Sequence, residues 1–361
     1  GRVEGIYFRP RLTLQSHFHG CLLHHMKVAF FLIFLVAQLQ ALPNAVLGQL
    51  ANLDSPLNGE DLTDVLLAAG VWDGSQPLPG EWEAEGVYPS PISTYLMARP
   101  KVFGVNALLV RAMKREGQLE ELQITFADAG SFFGYLDRRI PEGTTPEQAT
   151  SLLLERVNKR RVEFEKLYTK TSEELEAQLR KIDKRPRDAK RGRTRDLRVV
   201  YQAYELEESG LSVQLLEAKN RLLRVSIREK KKAPKSWLDS SQEELGNSAR
   251  LKALSSKVTK TDRGDVILNE VEVVPQGYRP YCGLNTLVMV ARYLGLHLDE
   301  DWLAVAGKFQ NTGSAAGSDM LGLYSSVARE ARFNLHRTSD YDHETVRRSI
   351  RAGMPVIVWR R

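Results

Sequence analysis

The sequence predicts an α+β protein, and three observations carry that class. Two stretches of alternating apolar and polar residues, VNALLVRAM with LEELQITFA and LRVVYQAYEL with LSVQLLE, spell β-hairpins. Between them, Thr145-Pro146-Glu147-Gln148 reads as an N-cap, an N1 proline and a capping-box glutamine that open a long helix. Beyond Val266, short helical faces precede a strand-like VIVW. A chain of 361 residues accommodates two or three domains. With 42% hydrophobic and 27% charged residues, it is excluded from the disordered, collagenous and multi-span membrane classes. Two cysteines, Cys21 and Cys282, rule out a disulfide framework and a four-thiolate metal cage, and the thiol chemistry read below implies neither a metal nor an organic cofactor.

The elements follow in order. Met26 and Lys27 precede the apolar run VAFFLIFLVA, with small residues at Ala45 and Gly48. A positive start and an apolar core of about ten residues fit an export signal better than a membrane span, which needs about 20. We therefore assign 26–48 as a signal peptide cleaved near Val46-Leu47-Gly48, place 1–25 upstream of the true start, and expect a secreted or periplasmic protein. Membrane contact is confined to this segment, and an uncleaved anchor is the alternative. Cys21 and the histidines His17, His19, His24 and His25 then fall outside the mature chain, leaving Cys282 alone in an exported protein, where thiols pair or carry chemistry.

Residues 49–100 read as a short helix over 61–71 and a Pro/Gly-rich loop over 74–91. Residues 101–230 form a small α+β domain of unreadable role. Its first hairpin turns at Gly117, with Leu122, Ile124 and Phe126 on one face, and its helix carries Leu153, Val157, Phe164, Tyr168, Leu175 and Leu179 on one stripe. LLRVSI closes the unit. The stretch 180–195 holds nine Lys/Arg against two Asp and reads as a solvated connector, with polyanion binding as the alternative. Because the basic excess is local and no aromatic ladder accompanies it, no specific nucleic-acid partner is expected. Polar residues 231–265 read as a linker, and a new domain occupies 266–361.

The segment from Val274 to Asn285 carries the chemistry. A Gly/Pro-containing loop delivers Cys282 onto the start of a helix whose apolar face is Leu284, Leu287, Val288, Ala291 and Leu294. At a helix N-terminus the dipole and free N–H groups favour the thiolate. Six residues earlier stands Gln276, whose amide is suited to donate to the oxyanion of a tetrahedral intermediate while the Cys282 N–H supplies the second donor.

Gln276, Cys282, Gly283 and the following apolar helix resemble papain-like cysteine peptidases, most closely the bacteriocin-processing peptidases that cut double-glycine leaders and their exported relatives. The resemblance covers residues 270–361. It implies a peptidase fold with further helices over LDEDWLAVAG, from an N-cap at Ser318, and from an N-cap at Asp342. Tyr281 before the cysteine and Leu284-Asn285 after it depart from the family pattern. The resemblance also places the catalytic histidine and its Asp/Asn partner beyond Arg361, so the domain is expected to be incomplete here. His297 is fifteen residues from Cys282, which along a continuous helix is about 22 Å. Spacing excludes neither His336 nor His343 as a base, but neither stands where the family has it. The expected function is hydrolysis of a peptide bond in a peptide or protein substrate. The alternatives are an inactive peptide-binding module, or amide transfer or cell-wall peptide cleavage on the same fold.

Overall fold

The computed structural model describes residues 3–10, 83–85, 92–98, 101–115, 118–134, 139–206, 210–274, 279–309, 320–338 and 342–360. In chain order these form β1 (Val3–Pro10), β2 (Glu83–Glu85), β3 (Ile92–Ala98), β4 (Lys101–Val102), β5 (Val105–Asn106), β6 (Leu109–Arg115), β7 (Gln118–Asp128), α1 (Ala129–Phe133) and α2 (Pro146–Ile182). Next come β8 (Arg187–Arg191), β9 (Val199–Leu206), β10 (Leu211–Ala218), β11 (Leu222–Glu229), a 3₁₀ turn (Lys230–Lys232), α3 (Ser240–Glu244), α4 (Asn247–Ser256), β12 (Val258–Lys260) and β13 (Val266–Leu268). The remainder is α5 (Cys282–Tyr293), α6 (Glu300–Ala306), α7 (Met320–Glu330), β14 (Phe333–Thr338), α8 (His343–Arg351) and β15 (Val356–Arg360). The class is α+β.

Eight antiparallel strands make the main sheet, in the order β2-β3-β6-β7-β11-β10-β9-β8. Both expected hairpins are in it: β6 pairs β7, and β9 pairs β10 with Leu206 opposite Leu211. The tight turn from β10 to β11 puts Asn220 at φ 54°, a left-handed conformation that asparagine tolerates. On one face Val110, Ala112, Leu122, Ile124, Phe126, Val213, Val225 and Ile227 are buried under α2, which contributes Phe164, Tyr168, Leu175 and Leu179. Each of these large apolar side chains stabilises the fold by about 1.5–3 kcal/mol. The capping box is present: Gln148 N–H donates to Thr145 Oγ1 at 3.3 Å, and Thr145 N–H donates to Gln148 Oε1 at 3.0 Å. Leu153 and Val157 are only half-buried, so the stripe outruns the core at its N-terminal end.

The opposite face of the sheet is buried too, which alternation alone does not announce. It presents Arg111, Glu121, Gln123, Thr125, Ser212, Gln214, Arg224, Ser226 and Arg228, all buried, bordered by Val199, Tyr201, Leu216 and Leu222. Against that face lie α5, α6 and α7, whose Leu284, Leu287, Val288, Leu303, Leu323 and Val327 complete a second core. The sheet is therefore the middle of three layers. Glu300, wholly buried at the start of α6, receives Arg111 Nη2 from β6 at 2.7 Å and Arg279 Nη2 at 3.2 Å, with Arg292 Nη2 of α5 at 3.7 Å. Arg224 pairs with Asp299, and Arg228 with Glu121, which Arg191 also approaches at 3.9 Å.

Several expectations are corrected. Residues 231–265 are not a linker: Trp237 is 1% exposed, donates Nε1–H to Leu197 O at 2.9 Å and carries the Arg191 guanidinium 4.1 Å above its ring. Within the same stretch α4 buries Leu254 and Arg250, the latter donating to Ala331 O at 2.8 Å and Leu294 O at 3.3 Å. A polar composition hid these anchors, and the second unit accordingly starts well before Val266. The basic stretch 180–195 is not wholly a solvated connector, because Arg187–Arg191 is the edge strand β8 and Arg191 is buried. The main sheet begins before residue 101, and Glu83–Glu85 within the expected loop 74–91 is a strand.

Val3–Pro10, within the stretch assigned upstream of the true start, forms strand β1. This strand lies antiparallel between β14 and β15, which run parallel to each other, and so occupies a slot whose backbone groups need partners. The remainder of that segment, the signal peptide 26–48 and the helix 61–71 lie outside the described residues. No helix among the described residues is long and apolar enough to cross a membrane.

Glu300→Ala is expected to strip a shared counter-ion from three arginines and to destabilise the protein by about 3–5 kcal/mol, the range for breaking one side of a buried ion pair. Urea unfolding followed by tryptophan fluorescence measures it. A loss below about 1 kcal/mol would show that the arginines need no carboxylate there.

Candidate functional site

Cys282 is the first residue of α5, and its side chain is exposed. The helix forms because Leu284, Leu287, Val288 and Ala291 repeat at helical spacing and face the second core. Tyr281 stands at the N-cap with φ −103° and ψ 20°, and its side chain makes no capping hydrogen bond. The thiol thus sits where a helix leaves its first N–H groups without intrahelical acceptors and where its dipole favours negative charge.

Tyr281, one of the departures from the family pattern, has a structural reason. Its ring is 1% exposed, meets Phe309 edge-on at 5.1 Å, and lies under the Arg279 guanidinium at 4.9 Å. The hydroxyl rests on α1, where a Cβ on Gly130 would come within 1.9 Å of it. Asp128 fixes that short helix by accepting from Gly130 N at 3.0 Å and Ser131 N at 2.8 Å. The residue before Cys282 is in this way pinned to the end of β7.

Arg279 reinforces the anchor by pairing with both Asp301 and Glu300. Burial alone would raise Glu300, but Arg111, Arg279 and Arg292 together hold its carboxyl well below the ordinary range. Asp301 goes the other way: burial, opposed by Arg279 and assisted by Asp128 and Glu300, pushes it from 3.8 up to about 6. The acids open α6, where Asp299 caps the helix by accepting from Asp301 N at 2.7 Å and Trp302 N at 2.9 Å.

One turn into α5, the buried Asn285 donates Nδ2–H to Val274 O at 3.2 Å, so the chain entering the Gln276 loop is tied to the cysteine helix. Gln276 itself lies outside the described residues, as does Ser318. Asp342 is the N-cap of α8, accepting from Glu344 N and Thr345 N at 3.0 Å each. Beside the thiol, Met320 of α7 covers Gly283, its Cε 3.5 Å from where a Cβ would stand.

The histidines fall in three places. His297 follows the C-terminal end of α5 with Nε2 3.3 Å from Asp239 Oδ2, while Cys282 is at the opposite end of this 12-residue helix, about 18 Å away. It lines a cavity of about 120 Å³ with Arg111, Gln123, Glu272, Arg292 and Asp299. His336 lies on β14 opposite Tyr7, and His343 is the exposed first residue of α8. No group of His, Cys, Asp and Glu able to hold a metal occurs among the described residues. Sequence reasoning missed Arg279 and Glu300. The signal available was the acidic triplet 299–301 at the start of α6, whose carboxylates, once buried, need cationic partners.

No protein-family model matches the chain, and no curated protein or solved structure matches it either.

Two outcomes are expected here. Gly130→Ala must displace the Tyr281 hydroxyl and should cost about 1–3 kcal/mol, as overpacking does, while slowing electrophile labelling of Cys282. Thermal melts and labelling rates on the same samples test the coupling, which is absent if stability falls and labelling is unmoved. For Asp301 the folded value lies above the unfolded one, so its contribution to stability is complete below about pH 4 and is lost as pH rises through about 6. Asp301→Asn should remove that downward slope, seen as a flatter urea midpoint between pH 4.5 and 6.5; unchanged slopes would show that the carboxyl titrates normally.

Proposed function

We propose that the chain is an exported papain-like cysteine peptidase that hydrolyses peptide bonds through the Cys282 thiolate. The observation that carries the reading is an exposed cysteine at the first position of a helix, held by a buried tyrosine immediately before it. In this reading Cys282 Sγ attacks the acyl carbon and the amine leaves, protonated by the base that took the thiol proton. Water then attacks the thioester and regenerates the thiol. The Cys282 N–H and the Gln276 side chain donate to the oxyanion of both tetrahedral intermediates. The resemblance supplies the roles of Gln276 and of a histidine base following the strand β15. The export assignment rests on the segment 26–48.

The test is made on the full-length gene product with a library of internally quenched peptides and an electrophilic thiol probe. Wild-type protein should cleave and be labelled, and Cys282→Ala should do neither. Gln276→Ala should retain labelling and lose about 100-fold or more in kcat, the effect of removing an oxyanion donor. Labelling at Cys282 without cleavage of any peptide would favour the inactive peptide-binding module. Amide transfer would reveal itself as a new amide product when an added amine competes with water.

A further inference from the structure

We infer that the cavity at the C-terminal end of α5 binds a small organic cation, an ammonium group on a short apolar stem. This does not rest on the peptidase reading, since Cys282 stands at the opposite end of the helix. The volume of about 120 Å³ is roughly ten times what one water needs, and a polar cavity of that size holds solvent or a ligand. The carboxylates of Asp239, Glu270, Glu272 and Asp299 line it against the cations of Arg111, Lys257 and Arg292. The Lys257–Glu270 pair, at 2.7 Å, is the most exposed of these and marks the rim. Further in, Arg292 donates to Glu272 at 3.2 Å, while Arg111 and Asp299 face Glu300 and Arg224 in the layer behind. Asp239 meets His297 at 3.3 Å, an imidazole that is cationic only when protonated. With that imidazole neutral, four carboxylates against three cations leave the lining with one negative charge.

The backbone adds to that sign. The last turn of α4 borders the cavity through Ala253 and Leu254, and the last turn of α5 through Arg292 and Tyr293, so two helices of 10 and 12 residues end at its wall with their negative poles. The helices that start there, α3 and α6, have only five and seven residues, and Asp299 already accepts from the first N–H groups of α6. The wall is also built before a ligand arrives. Asp239 N–H donates to Gly295 O at 3.0 Å, and His297 N–H donates to Trp237 O at 2.8 Å. Gly295 permits this approach, with φ 82° and a place for Cβ only 2.7 Å from Gln242 Cγ. An ammonium directed at Asp239 and Glu272 balances the lining, and its stem lies along the buried Leu254, Tyr293 and Leu298.

The experiment is calorimetric titration of the full-length protein with butylamine, and with butyrate, which has the same stem and the opposite charge. Butylamine should bind one-to-one with a Kd of about 1 mM or tighter, and butyrate should not bind detectably. Asp239→Asn should weaken butylamine about tenfold or more, the scale of one hydrogen bond to a charged group. The Asp239 side chain makes no capping bond to α3, so this substitution spares the helix start. Ala253→Leu, which fills the cavity, should abolish binding. Butyrate binding as tightly as butylamine overturns the inference, as does a butylamine Kd unmoved in Asp239→Asn or the absence of any saturable binding by wild type.

Should Ala253→Leu not fold, the comparison of the two probes on wild type and the Asp239→Asn titration decide. Cys282→Ala should bind butylamine as wild type does, and loss of binding there would tie the ligand to the thiol and overturn the inference. Titration with Nα-acetyl-lysine methylamide separates the two sources of such a cation. Binding tighter than that of butylamine assigns the site to a lysyl side chain of a peptide, and weaker binding assigns it to a free amine.

Discussion

The Glu300 carboxylate is the constraint from which the rest of the arrangement follows. It is wholly buried, yet it is reached by a guanidinium from the sheet, one from the chain leading into the cysteine, and one from the last turn of the cysteine helix. An isolated carboxylate in such a place would be expelled or protonated. Three cations remove that option and in doing so fix the relative positions of β6, residue 279 and α5. Such a network adds little net stability compared with a well-packed apolar contact, but it tolerates only one alignment of the parts it joins.

That alignment explains the unusual composition of the sheet. Its helix-facing side is ordinary: alternate Val, Leu, Ile and Phe meet the apolar stripe of α2. The other side buries four arginines, at 111, 191, 224 and 228, against Glu121, Asp299 and Glu300. Arg191 feels the excess, since burial and then the nearby Arg228 lower its affinity for its proton. The charges sit where the sheet meets the unit that carries Cys282, and an apolar rim of Val199, Tyr201, Leu216 and Leu222 shields them from water. The apolar rim supplies adhesion and the polar centre supplies register.

How much of this the sequence disclosed depended on whether the signal was local. The hairpins β6–β7 and β9–β10 and the helix α2 were legible because alternation, a four-residue capping box and a helical stripe are short-range patterns. The Asp342 cap and the cysteine at a helix start were legible for the same reason. Burial of Glu121, Gln123 and Arg224 was not, because a polar residue on a strand reads as solvent-facing until a second layer is known to cover it. The segment 231–265 failed in the same way: Trp237 and Arg250 are anchors only because Leu197 O, Ala331 O and Leu294 O lie opposite them, at separations of 40, 81 and 44 residues. Tyr281 appeared in the sequence only as a departure from the family's pattern, whereas its partner Gly130 lies far earlier in the chain.

The two ends of α5 bring these threads together. At its C-terminal end Arg292 is held by Glu272 at 3.2 Å and approaches Glu300, and the Tyr293 hydroxyl donates to Gly353 O at 2.9 Å. At its N-terminal end Tyr281 and Arg279 are locked to α1 and α6. A helix fixed at both ends can neither slide along its axis nor turn about it, and rotation by one residue would swing its first side chain by about 100°. The side chain so fixed is Cys282, whose own exposure leaves it no packing to hold it in place. The position of this open side chain is therefore set by buried charges and rings at the two ends of its helix rather than by contacts of its own.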